Sequence, residues 1–62
     1  MTTYDELVYK FKKLSNKKKV EVLYDAIDYM NQYNGRTTND CIVLSMAKDY
    51  ETGMKAINAQ YD

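Results

Sequence analysis

Few side chains in this sequence are of types that do catalytic chemistry. Asp25 and Asp28 share one face of a predicted helix, where two carboxylates can hold a hard cation but are more often simply solvated. Cys41, the single cysteine, stands near the start of another predicted helix, which could lower the pKa of its thiol; a small buried apolar residue is its more common role. Histidine, glycine-rich phosphate loops and a serine with a plausible base are absent from the sequence. We therefore expect no enzymatic activity, no cofactor and no metal site.

Six of the nine basic residues stand close together, and we call them the lysine corner: Lys10, Lys12, Lys13, Lys17, Lys18 and Lys19. The last three fall in the first turn of a predicted helix, where positive charge is unfavourable by up to about 1 kcal/mol per residue. The corner could bind an anion, such as a phosphate backbone or an acidic protein surface, or it could simply be solvated. Because the formal net charge is zero, no overall field draws the chain to nucleic acid or to an anionic membrane.

The elements that would position these side chains are all helices. The absence of proline, the two glycines and the many helix-forming residues predict an all-α fold, a compact bundle of three to four short helices in which residues 1–62 form one domain. A capping box of Thr3 and Glu6 begins the first helix, and Asn34–Gly35 ends the second. Helix 1 is predicted at about 4–13, and helix 2 at about 17–33 after a cap at Ser15 or Asn16. Helix 3 is predicted to start at Thr37 or Thr38. A short helix 4 follows a break near 51–53.

The predicted second helix is apolar around a wide arc. At 100° per residue, two neighbouring stripes cover about 220° of its circumference, whereas a surface helix shows an apolar stripe of about 100° or somewhat more. The Leu23 stripe consists of Val20, Leu23, Tyr24, Ile27 and Met30, and the Tyr29 stripe consists of Val22, Ala26, Tyr29 and Tyr33. In one interpretation this helix is central, and Leu23→Ala or Ile27→Ala removes most of the stability. In the other, the Tyr29 stripe faces a second protein. The narrow polar face, which holds Glu21, Asp25 and Asp28, would repel phosphate.

Tyrosine supplies most of the aromatic side chains, with seven tyrosines, one phenylalanine and no tryptophan. A buried phenol needs a hydrogen-bond partner, whereas a tyrosine at an interface buries its ring and keeps its hydroxyl wet, so this composition favours binding to another protein. Tyr9, on the side of helix 1 away from its apolar residues, is the predicted exposed ring; it is a candidate interface residue or, alternatively, a singly exposed aromatic of no consequence. Because 62 residues without a disulfide or a metal form only a small core, we also predict a homo-oligomer in which Tyr29 and Tyr33 of one copy contact Val22 and Ala26 of the other.

The stretch AKDYETGMKAIN, residues 47–58, carries Ala47, Lys48, Asp49 and Tyr50 ahead of Lys55, Ile57 and Asn58. In this spacing it resembles the helix-turn-helix of phage antirepressor C-terminal domains, with the first four residues in the motif's first helix and the last three in its second. Glu51 stands where that motif has a glycine, and Gly53 comes two residues later. The resemblance implies that the last helix reads DNA, through Lys55, Asn58 and Gln60. The alternative is that Ala47 and Ile57 only pack the last two helices together.

Residues 1–13 contain no apolar run of the length that a signal peptide or a membrane span requires, and a lone cysteine is typical of a reducing compartment. We therefore expect a cytoplasmic protein without membrane contact. The sequence predicts a small non-enzymatic helical protein that binds another protein, in the style of the modulators of host factors that phages and mobile elements encode. The alternative function is that of a DNA-binding transcriptional regulator.

Overall fold

The computed structural model describes residues 3–32 and 36–61, with Tyr61 described by its backbone alone. These residues form four helices: α1 (Thr3–Lys13), α2 (Asn16–Gln32), α3 (Thr38–Met46) and α4 (Tyr50–Tyr61). The predicted all-α bundle is confirmed. The predicted end of the second helix, Tyr33 to Gly35, lies outside the described residues.

The beginnings of α2 and α3 follow from local capping. Ser15 precedes α2, and its Oγ accepts a hydrogen bond from the backbone N–H of Lys18 at 3.4 Å. At α3, Thr37 Oγ1 accepts from the N–H of Asp40 at 3.1 Å, while Asp40 Oδ2 accepts from the N–H of Thr37 at 3.3 Å. This reciprocal pair is a capping box, and it selects Thr37 over Thr38 as the cap.

The break before α4 lies at residues 47–49, and the prediction of a break near 51–53 is wrong. Ala47 leaves the helical conformation, with φ −69° and ψ 152°. Asp49 then starts the next helix, because its Oδ1 accepts from the N–H of Thr52 at 2.7 Å. Gly53 lies inside α4, where a Cβ atom would come within 3.0 Å of Leu44 Cδ2 and 3.3 Å of Leu44 Cα. The glycine therefore serves the close approach of α3 and α4 and does not form the turn.

The central helix is α3, and the interpretation that placed the second helix at the centre is wrong. Five consecutive α3 residues, Asp40 to Leu44, are buried, and α3 packs against each of the other three helices. One part of the core joins α1, α3 and α4 around Val43, Leu44 and Ile57. The other joins α2 to α3 through Ala26, Cys41 and Ile42. A helix that is apolar on nearly all sides is normally buried, which explains the position of α3.

A buried polar pair crosses this core. The Tyr4 hydroxyl donates a hydrogen bond of 2.7 Å to Asp40 Oδ1, and both residues are buried. The bond fastens the start of α1 to the first turn of α3. Asp40 thus caps its own helix with one oxygen and holds α1 with the other.

Candidate protein-interaction surface

The Leu23 stripe lies on the outside of the molecule. Its five side chains are all exposed, from 38% for Leu23 to 69% for Tyr24. The expectation that Leu23 and Ile27 belong to the core is therefore wrong, since Ile27 is half exposed. Four of the five side chains, Val20, Leu23, Tyr24 and Ile27, line a shallow groove of about 250 Å³.

The Tyr29 stripe instead holds α2 to the rest of the chain. Ala26 is 1% exposed and packs with Cys41 and Ile42, and the half-buried Val22 and Tyr29 pack beside them. Tyr29 also contacts the part of the core that contains Val43 and Ile57. The prediction that Val22, Ala26 and Tyr29 face a second protein is corrected accordingly, because α3 already occupies that face. Tyr33, the fourth member, lies outside the described residues.

Charge is distributed unevenly along α2. Its first turn carries Lys17, Lys18 and Lys19 and no acidic residue, while Asp25 and Asp28 lie exposed in its second half. Lys18 Nζ lies 3.5 Å from Glu21 Oε2, and both side chains are more than half exposed. Among the ion pairs of the described residues, none involves Lys17 or Asp28. The exposed stripe therefore lies on a helix that is positive at one end and negative towards the other.

The lysine corner surrounds the junction of α1 and α2, as the sequence predicts. Five of its lysines are exposed and Lys19 is half-buried. Tyr9 is exposed, as predicted, and Lys13 Nζ lies 5.1 Å from the centroid of its ring, a cation–π geometry. The exposed Tyr9 ring thus contacts Lys13 of the same helix. No feature of the described corner singles out an anion.

The residues of the helix-turn-helix resemblance lie at different places from those that it implies. Ala47, Lys48 and Asp49 form the turn between α3 and α4, and Tyr50 begins α4, so none of the four lies in the preceding helix. Ile57 is fully buried beside Val43 and Leu44. Ala47 lies next to Gly53, because a Cβ atom added to Gly53 would lie 3.4 Å from Ala47 Cβ. Ala47 and Ile57 therefore pack the last two helices together, and the reading of DNA by the last helix stays a prediction.

The three candidate DNA-reading side chains, Lys55, Asn58 and Gln60, are exposed on α4. Lys55 Nζ lies 3.4 Å from Glu51 Oε1, one helical turn away. At 100° per residue, Gln60 lies about 140° from Lys55 and about 160° from Asn58 around the helix. The three side chains do not share one face.

A polar cleft of about 480 Å³ lies between α2 and the turn into α4. Asp25, Asp28 and Asp49 line it, together with Ser45, whose buried Oγ has no hydrogen-bond partner among the described residues. The bond that Asp49 accepts from Thr52 lowers the pKa of the Asp49 carboxyl group. Within residues 3–32 and 36–61 no three ligand side chains come together in a way that could hold a metal ion.

Cys41 is fully buried, which confirms the prediction of a small core residue. Burial, and next the neighbouring Asp40, raise the pKa of its thiol above the usual value. The opposite expectation, a pKa lowered by the start of α3, is wrong because burial and Asp40 raise the pKa by more than Arg36 lowers it. A protonated, inaccessible thiol is a poor nucleophile.

The sequence contains a signal for the exposed position of the Leu23 stripe that the apolar spacing of α2 alone does not reveal. Residues 41–44, Cys-Ile-Val-Leu, are an uninterrupted apolar run, which is typical of a helix buried on all sides. Such a run identifies α3 as the centre of the bundle. The apolar pattern of α2 is wider but interrupted, which is typical of a peripheral helix. One apolar face of this helix therefore stays exposed.

Across the described part of the chain, no helix combines the length and the apolarity that a membrane crossing requires. Comparisons of the sequence and the structure with protein-family models, curated proteins and solved structures found no match. The functional interpretation therefore rests on the surface of the molecule itself.

Proposed function

We propose that this chain is a non-enzymatic helical protein that binds another protein through the Leu23 stripe of α2. The observation that carries the proposal is the exposure of five neighbouring apolar side chains on one helix. Together they form a patch on the order of 500 Å², within the range of the largest patches on monomers, which are often interaction sites. Tyr24, the most exposed of the five, belongs to a residue type that is enriched at interface hot spots.

The geometry suits binding as a helix in a groove. The exposed residues recur at spacings of three and four along α2, the pattern with which an amphipathic helix enters a hydrophobic groove. The neighbouring face of α2 is anchored, because Ala26 and Tyr29 pack into the core. A helix held in this way loses little conformational freedom on binding, which favours affinity.

The placement of charge favours a protein over DNA as the partner. Glu21 and Asp28 lie exposed on one flank of the stripe, with Asp25 further around α2, and acidic side chains repel a phosphate backbone. On α4, the spread of Lys55, Asn58 and Gln60 around the helix gives a DNA groove no common reading face. Transcriptional regulation through α4 therefore stays the second hypothesis, with weaker support than protein binding.

Affinity capture from a cell extract tests the proposal. The immobilised chain is compared with the double variant Tyr24→Ser/Ile27→Ser and with the control Tyr9→Ser, which removes an exposed ring from the outer face of α1. We expect a protein that binds the wild type and the control but not the double variant, while circular dichroism shows all three folded. If the double variant retains every protein that the wild type binds, the Leu23 stripe is not the binding surface. Salt-sensitive binding to duplex DNA, lost on Lys55→Ala, would instead favour the second hypothesis.

A further inference from the structure

We propose that the Leu23 stripe binds a second copy of this chain, with the two α2 helices packed antiparallel about a two-fold axis. This inference rests on the proposed function, because it names an occupant for the same surface. A different protein that binds the Leu23 stripe more tightly would then displace the second copy.

Four of the five apolar side chains of the stripe, all except Met30, are self-complementary in an antiparallel register. With the axis between residues 23 and 24, Val20 faces Ile27 of the second copy, and Leu23 faces Tyr24 of the second copy. Symmetry repeats each contact, as an isologous interface requires. The four residues concerned are those that line the shallow groove, so each helix places its side chains in the groove of the other.

The charges of α2 specify the direction of the second helix. At 100° per residue, Lys17 and Asp28 lie within about 20° of each other, on the same flank of the stripe. A two-fold antiparallel pairing brings each flank against the same flank of the other copy, so Lys17 comes beside Asp28 of the second copy. In the register given above, the two residues are offset by about 3 Å along the helices, which a lysine side chain can span. Both residues are exposed and lack an ion pair among the described residues.

A parallel pairing lacks this complementarity. It would set the first turn of one α2, with Lys17, Lys18 and Lys19, beside the same three lysines of the other. Like charges placed across an interface are unfavourable and oppose a wrong orientation. The polarity of α2 therefore favours the antiparallel second copy.

The size of the patch predicts a weak dimer. Two patches on the order of 500 Å² bury about 1,000 Å² in total, near the lower limit for specific interfaces. We expect dissociation in roughly the micromolar range, so the surface becomes available on dilution.

Sedimentation equilibrium of the purified chain, from about 1 to several hundred micromolar, tests the dimer. We expect the mass to rise from one chain to two over this range. Tyr24→Ser should abolish the rise, and Tyr9→Ser should leave it unchanged. A single-chain mass at every concentration would overturn the proposal, and so would a dimer that Tyr24→Ser leaves intact.

Charge exchange tests the antiparallel register. Lys17→Asp and Asp28→Lys should each raise the dissociation constant of the homodimer about five- to thirtyfold, because two symmetric pairs change from attraction to repulsion. An equimolar mixture of the two variants should recover the wild-type affinity as a heterodimer, because both pairs are then complementary. If the mixture dimerises no better than the separate variants, the antiparallel arrangement is wrong.

The two proposals fail separately. A chain that stays monomeric when pure, yet captures a protein from extract through Tyr24 and Ile27, overturns the second copy and leaves the proposed function standing. A chain that dimerises through the stripe but captures no other protein supports the second copy and contradicts binding to a different protein.

Discussion

Two isoleucines provide a direct test of how α2 is oriented. Ile57→Ala and Ile27→Ala remove the same atoms, but Ile57 is fully buried beside Val43 and Leu44 while Ile27 is half exposed. Truncation of a fully buried isoleucine costs about 2–5 kcal/mol, since the lost transfer energy is increased by a cavity. Half of the Ile27 surface already meets water and no closed cavity forms, so the cost there should be about 1 kcal/mol or less.

The difference is large compared with the stability of the whole molecule. A domain of this size has about 3–5 kcal/mol to lose, so Ile57→Ala should unfold much of the population while Ile27→Ala should remain folded. Urea unfolding followed by circular dichroism measures both, at a concentration where sedimentation shows a single chain. Equal costs for the two variants would place Ile27 in the core and refute the orientation of α2 described above.

Three further substitutions test individual contacts. Tyr4→Phe should cost about 1–3 kcal/mol in urea unfolding, because buried Asp40 loses a hydrogen-bond donor. Gly53→Val should cost about 1–3 kcal/mol despite the better helix propensity, because its side chain meets the backbone of Leu44; a neutral or stabilising result would show that α3 and α4 can separate. The Asp49 carboxylate, whose pKa is lowered, should stabilise α4 above its unfolded-state pKa and lose this effect as the pH falls through the folded-state pKa. Asp49→Asn should therefore flatten the acid side of the stability profile, and an unchanged profile would contradict the cap.

The helix starts that depend on contacts over three or four residues were predictable from the sequence. Ser15 and Thr37 hold the starts of α2 and α3 through bonds to backbone groups three residues on, and their side chains identify them as caps. The difference between the predicted and the observed break before α4 also has a local reason. Gly53 suggested a turn, but Asp49 and Thr52 form an equally local cap four residues earlier. A glycine in isolation does not show whether it serves a turn or a close helix contact.

Contacts between distant residues left no such signal. The hydrogen bond between Tyr4 and Asp40 joins residues 36 positions apart. Either side chain, taken alone, fits an ordinary helix start. For that reason the tyrosine content of the sequence favours an interface, although Tyr4 and Tyr29 pack within the chain and Tyr24 is exposed.

Side-chain size explains which face of α2 packs inward, a choice that hydrophobicity leaves open because both stripes are apolar. The distance between two packed helices depends on the side chains at their contact, and small residues permit the closest approach. Ala26 is the smallest residue of either stripe, and it meets Cys41, itself small, at the α2–α3 contact. The same rule operates between α3 and α4, where Gly53 admits Leu44. Turning the Leu23 stripe inward would replace Ala26 at the contact with leucine, isoleucine and tyrosine and hold the helices apart. The larger apolar side chains of α2 are consequently left on the surface, where a second protein can cover them.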